Sequence, residues 1–444
     1  MPRISAVAIL ALLLSAGAAN ADGTTIYSGA TIIDGTGAPP VRGRSIVVKD
    51  DRILGIVADA KAAKLAGPGA TRVDMKGTYA LPGLIDTHQH MATAPDRKYA
   101  EAFLRRFVYS GVTAIRDMAG DARQLADLSR GARFGEIASP DIYYVALMAG
   151  PEFFHDARTV ASARGLTPGQ VPWMRAIDAN TNLQLAIAEA KGTSATAIKI
   201  YADLPGPLVK AVTEEAHKQG LQVWAHAAVF PASPKEVVDA GVDVTSHICM
   251  DAYQTFKEMP PQYHNRPGIK DADFEGEVRP ELANLFADMK ARGTVMDATL
   301  YVYNAMWKVP NANPPPYCTL ALAEKLAAQA HKAGVMISTG TDADTDWDRP
   351  YPAIFDEMEL LVNHSGFTPM EAVEAATRIG ARAIGKQGEF GTLEAGKLAN
   401  IVFLAHNPLN SISNMRSVVE TLKRGIAFRR ADYQPITKVE AGTE

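Results

Sequence analysis

Leu81-Pro82-Gly83-Leu84-Ile85-Asp86-Thr87-His88-Gln89-His90 is the stretch on which the reading of this chain turns. A Pro-Gly pair opens a short apolar run of strand length, and the run ends in two histidines spaced i, i+2. Side chains alternate along a strand, so His88 and His90 project from the same face. Two imidazoles converging from a rigid strand end suit a transition metal such as zinc. The plainer alternative is two polar histidines stacked there without a metal.

Outward from this stretch, seven more segments read as strands, at 112–117, 141–148, 197–201, 223–226, 244–247, 294–299 and 335–339. Amphipathic stretches fall between most of them, at 98–110, 183–191, 207–219, 234–240, 280–292 and 320–332. Eight strands alternating with helices predict an α/β chain folded as a closed parallel (β/α)8 TIM barrel. In that architecture chemistry sits at the C-terminal ends of the strands.

The flanks read differently. Short β-branched runs separated by turns fill 24–80, and strand-like runs recur at 391–393, 399–404 and 426–428. Neither arm is long enough for a core of its own, so the two predict a small β-sandwich built from both ends. The expected division is a leader at 1–21, sandwich at 22–80, barrel at 81–389 and sandwich again at 390–444.

The leader has Arg3, an apolar run over 6–14 too short to span a bilayer, and a small-x-small site at Ala19-Asn20-Ala21. It predicts an exported protein, periplasmic or secreted. No later segment is apolar enough to insert in a membrane. Of the 444 residues 47% are apolar, and the net charge is −4 without a notable basic stretch. Nucleic acid is therefore not an expected partner; a homo-oligomer is left open. Cys249 and Cys318 are the only cysteines. An oxidising compartment would let them pair, but their spacing does not require it.

Five strand ends carry residues of metal-ligand type: His88 and His90, then Lys199 within Ala197-Ile198-Lys199-Ile200-Tyr201, then His226, then His247, then Asp342 in Gly340-Thr341-Asp342. An ammonium between two isoleucines on a buried strand is costly unless paired or neutralised. Lys199 is either the partner of a nearby carboxylate or a lysine of depressed pKa that has reacted with carbon dioxide. Its carbamate would be an anionic ligand with two oxygens.

This series, in this order, resembles the amidohydrolase superfamily, and within it the imidazolonepropionase-related branch that includes Xaa-Pro dipeptidases and ochratoxin-type amidases. The resemblance covers essentially the whole chain after the leader. It implies two divalent ions, zinc first, with manganese, cobalt or nickel as alternatives. His88, His90 and Asp342 would hold one and His226 and His247 the other, with carboxylated Lys199 and a hydroxide between them. It also implies Asp342 as the proton carrier. His155 and Tyr201 are candidates to hydrogen-bond the substrate carbonyl. Asn400 stands where the family usually has Asp, outside the barrel.

Loops at 149–179, 249–279 and 300–317 are long and rich in aromatic residues and proline, which predicts a wide, mostly apolar pocket. The implied substrates are small amides such as dipeptides or N-acyl amino acids. The same site would serve an esterase, lactonase or carbamate hydrolase. A barrel that only captures a ligand is the rival of another class.

Overall fold

The computed structural model of the chain describes residues 23–309, 316–343 and 346–443, so the leader expected at 1–21 lies outside the described residues. Eight parallel strands form the centre: Leu84–Gln89, Val112–Asp117, Asp141–Ala149, Ala197–Ile200, Gln222–His226, Val244–Ser246, Val295–Asp297 and Met336–Ser338. Each pairs with the next. A backbone hydrogen bond of 2.8 Å from Thr87 to Thr339 joins the last strand to the first. The (β/α)8 barrel read from the alternation is therefore present, and nearly every strand residue is buried, as in a sheet covered on both faces.

The helices Arg97–Tyr109, Leu183–Gly192, Gly206–Lys218, Pro234–Asp239, Pro280–Arg292 and Leu320–Ala333 fall where amphipathic stretches were expected. The helix Ala122–Phe134 was not expected. Its signals are local all the same: Asp121 caps the N-terminus by accepting from Arg123 N, Gly135 closes the C-terminus in the left-handed region, and Leu125, Leu128 and Ala132 supply the buried face.

The opening stretch does not form one strand. Tyr79–Pro82 pairs antiparallel with Ile401–Leu404 in the flanking sheet, and only Leu84–Gln89 belongs to the barrel. Gly83 is the crossing point. A Cβ there would lie 2.3 Å from the Thr113 side chain, so the chain can pass only where no side chain is needed.

The flanking segments make two sheets. One runs Arg52–Ala58, Arg44–Lys49, Thr24–Ser28, Thr71–Asp74, and the other Ile426–Arg429, Val418–Lys423, Ile401–Leu404, Tyr79–Pro82, Thr31–Ile32. Tyr27, Ile46, Ile53, Phe403 and Leu422 share one core, with the Tyr27 and Phe403 rings stacked at 5.4 Å. The segment 391–393 is not a strand; Leu393 only bonds Asp34 through its backbone. Asn400 closes local backbone bonds, donating nothing to the barrel centre: its carbonyl accepts from Gly83 and its side chain from Arg424 N. No described helix is long and apolar enough to cross a membrane.

Candidate active site

At the C-terminal end of the barrel, His88, His247 and Asp342 each offer a ligand atom within 4.8 Å of the others. The carboxylate is shared: Asp342 Oδ1 lies 3.3 Å from His88 Nε2 and 3.0 Å from His90 Nε2. His226 adjoins the group, its ring centroid 4.8 Å from that of His247. Lys199 rises from the fourth strand with its Nζ 5.6 Å from the Tyr201 ring, and that ring is 4.0 Å from His226. The side chains expected from five strand ends thus converge on one place.

Their orientations are held from behind. His88 Nδ1 lies 2.6 Å from Asp297 Oδ2, and His90 Nδ1 lies 3.1 Å from the Ala119 carbonyl. A proton on Nδ1 would leave Nε2 of each ring free as a ligand atom on the Asp342 side. Burial lowers the His90 pKa, but the contact of its Nε2 with Asp342 outweighs burial and raises it. His247 Nδ1 contacts Thr299 Oγ1 at 2.9 Å. His247, Thr299 and Asp342 all have positive φ, 73°, 53° and 50°. Non-glycine residues held in that region cost on the order of 1–3 kcal/mol each and cluster where function demands a particular side-chain direction. Gly340 permits the closest approach, since a Cβ would sit 1.9 Å from Asp297 Oδ1.

Burial sets the charge states. It pushes His247 down to about 3 and holds His88 and His226 below the usual histidine range, so their imidazoles stay neutral. For Asp342 burial pulls upward, but the surrounding imidazoles of His88, His90 and His247 outweigh it and keep the carboxyl ionised. Lys199 is pushed down to about 7, first by burial and then by Arg116. It has no carboxylate partner among the described residues, and its Nζ and the Nδ1 of His226 are buried without a hydrogen-bond partner. The ion pair considered as an alternative for Lys199 is therefore not formed.

His155 does not join the group. It ends the turn Pro151–His155 with its side chain 84% exposed, because Phe153 and Phe154 take the inward positions of that turn. Tyr201 does join, lining the cavity above the cluster with His90, His247 and Asp342. That cavity holds about 390 Å³ and is walled by Phe153, Met174, Tyr263, Arg266, Met306 and Tyr317, drawn largely from the three long loops. Arg266 is sandwiched, its guanidinium 3.9 Å from the Tyr263 ring and 4.5 Å from Tyr317, and forms no salt bridge among the described residues.

Residues 79–427 match the amidohydrolase family. The chain belongs to that family. Among curated relatives it is 26% identical to the imidazolonepropionase of Mesorhizobium japonicum, over 84% of this chain and 89% of that one. It is 25% identical to the ochratoxinase of Aspergillus niger, over 93% and 88%. A solved Xaa-Pro dipeptidase with methionine bound in its active site shares the fold, with a TM-score of 0.72, 20% identity, and coverage of 92% of this chain and 100% of that one. As a family member the protein is a hydrolase acting on C–N bonds, which removes the ligand-capturing barrel from consideration.

Asp297 and Arg116 stand behind His88 and Arg158 and Arg266 line the cavity, and none of the four carried a role in the sequence reading. Arg116 Nη2 donates to Asp297 Oδ2 at 3.0 Å, and its Nε donates to the Thr87 carbonyl at 2.5 Å. Asp297 had one available signal, a carboxylate in the buried strand Val295–Asp297 at the level of the ligand-bearing ends. Arg116 had none, since its partners are remote in sequence. Arg158 and Arg266 are held by the near neighbours Asp156 and Tyr263, but what they face is set by Tyr201 and Tyr317, which lie far along the chain.

Proposed function

We propose that the protein is an exported amidohydrolase with two divalent cations, which cleaves the C–N bond of small amides bearing a free carboxylate, such as dipeptides or N-acyl amino acids. The observation that carries this reading is the pair of orphaned atoms, Lys199 Nζ and His226 Nδ1, buried beside a converged set of imidazoles and a carboxylate. A buried polar atom without a partner is costly, and most have one. Here the unused atoms, the imidazoles and the ionised Asp342 are the donor set that borderline divalent ions take, zinc above all. His88, His90 and Asp342 would hold one ion and His226 and His247 the other, with a carbamate on Lys199 offering one oxygen to each. When bound, such ions supply Lewis acidity toward a carbonyl and acidify water.

The chain's own groups do the rest. Asp342 accepts the proton lost by the attacking water and delivers it to the departing nitrogen, a role that its sharing between His88 and His90 suits. Arg266 donates through Nη1 to the Tyr263 carbonyl at 2.7 Å but has no carboxylate partner among the described residues, and its partly apolar wall is the surroundings in which an ion pair with a substrate carboxylate is strong. Tyr263, Tyr317 and Phe153 exclude water around the acyl group. Export is supported by the leader sequence and by the disulfide between Cys249 and Cys318, a bond that persists in oxidising compartments.

Elemental analysis of the purified protein, followed by a screen of dipeptides, N-acyl amino acids and their carboxyl-blocked and ester counterparts, tests the reading. Two metals per chain and preference for free-carboxylate amides are expected. Protein that neither holds nor takes up metal, or that cleaves only esters, would overturn it.

A further inference from the structure

The hydroxyl of Tyr201 is engaged on one side only. Arg158 Nη1 donates to Tyr201 Oη at 2.9 Å. Arg158 is itself gripped by Asp156, through Nε to Oδ1 at 3.0 Å and Nη2 to Oδ2 at 2.7 Å. The Asp156 side chain is 9% exposed, caps the helix Ala157–Ala163 and has His264 Nε2 at 3.5 Å. The phenol ring cannot swing: it stacks on Phe153 at 4.4 Å and abuts His226. A guanidinium has donors and no acceptor. The phenol oxygen must therefore accept from Arg158, and its own hydrogen must point elsewhere. No described residue accepts that hydrogen, and the side left open is the cavity, where His247 and Asp342 stand.

We propose that Arg158 is a positioning residue that aims the Tyr201 hydroxyl hydrogen into the cavity, as a fixed donor to the substrate carbonyl oxygen. This rests on the amide-hydrolysing reading above. When water adds to the carbonyl carbon, the C=O π pair moves to the oxygen. Tyr201 stabilises that charge by a hydrogen bond without giving up its proton. The adjacent guanidinium strengthens the donor, and Asp156 keeps the guanidinium in place. The donor costs no reorganisation at the moment of reaction, which is what makes such groups effective.

Two measurements on the metal-loaded protein test this. In the first, Tyr201→Phe and Arg158→Met are compared on one N-acyl amino acid. Each should lower kcat, Tyr201→Phe by about 10²–10³-fold, with KM nearly unchanged. The double variant should be no worse than Tyr201→Phe, because both remove the same interaction. Arg158→Lys, which keeps a donor, should recover part of the loss. Multiplying losses, or an effect on KM alone, would overturn the proposal. In the second, neutron diffraction of the deuterated protein should place the Tyr201 deuteron toward the cavity. A deuteron directed at a protein acceptor overturns the proposal even if amides are cleaved. A cavity-facing deuteron in a protein that cleaves no C–N bond upholds the Arg158–Tyr201 arrangement and overturns the reaction assigned to the site instead.

Discussion

Asp297 Oδ2 lies 2.6 Å from His88 Nδ1, although the two residues are 209 positions apart and on the seventh and first barrel strands. The same oxygen accepts from Arg116 and from Ser246 Oγ. One carboxylate therefore orients the His88 imidazole and neutralises a guanidinium with no exposed surface. Burial alone would raise the Asp297 pKa, but His88 and Arg116 together hold it below the usual range.

Asp297→Ala should weaken both metal retention and the fold. Loss of a group that orients a ligand histidine typically costs about 10–100-fold in metal affinity. Leaving Arg116 buried without its partner costs about 3–5 kcal/mol. Chelator competition and thermal unfolding measure the two effects separately. Unchanged metal affinity would mean that the strand backbone alone orients His88.

Asp342→Asn should keep the fold and most of the metal, since the amide oxygen can still coordinate. It cannot carry a proton, so kcat should fall by about 10²–10⁴-fold. Near-native turnover at full metal content would remove Asp342 from proton transfer.

Lys199→Ala should lose chiefly the second metal, leaving part of the first with His88 and His90. Reconstitution of metal-free wild type should be faster and fuller with bicarbonate, and labelled bicarbonate should give a carbamate carbon signal absent from the variant. A Lys199→Ala protein with two metals and full turnover would return the lysine to a packing role.

Breaking the Cys249–Cys318 bond, 69 residues apart in sequence, should cost about 2–4 kcal/mol. Met250 and Tyr317, each next to one cysteine, line the cavity. The double serine variant should therefore also show a raised KM. A lower melting temperature with unchanged KM would confine the bond to stability.

Glu440 anchors the C-terminal segment to the first barrel helix. It accepts from Arg105 at 3.0 and 3.2 Å, which, with bonds from Thr437, holds its carboxyl at about 2. A folded pKa below the ordinary 4.5 means the contribution is present above that pH and fades as pH falls from 4.5 toward 2. The pair lies half-buried at the surface, where solvent still screens it, so the effect is on the order of 1 kcal/mol or less. The stability difference between wild type and Glu440→Gln should shrink across that window. A difference that stays constant would exclude the charge as its source.

The barrel and the convergence of the candidate ligands on one rim were legible because both rest on local pattern. Apolar runs of strand length mark the eight strands, and His88, His90, Lys199, His226, His247 and Asp342 lie at their ends or just beyond. Side-chain alternation and chain direction are enough to put such residues on one rim. What lies behind and above them was settled only by closure of the barrel and packing of the loops. Asp297 acquires its meaning when the seventh strand comes round to the first. Arg158 reaches Tyr201 across 43 residues. Arg266 needs Tyr263 and Tyr317 on either side, and Cys249 meets Cys318 only after the loops cross the cavity. His155 was misplaced for the same reason: one residue in a loop turns outward when two phenylalanines beside it compete for the same interior. Pattern along the chain reports which face a strand residue takes, whereas a loop side chain goes where the three-dimensional packing leaves room.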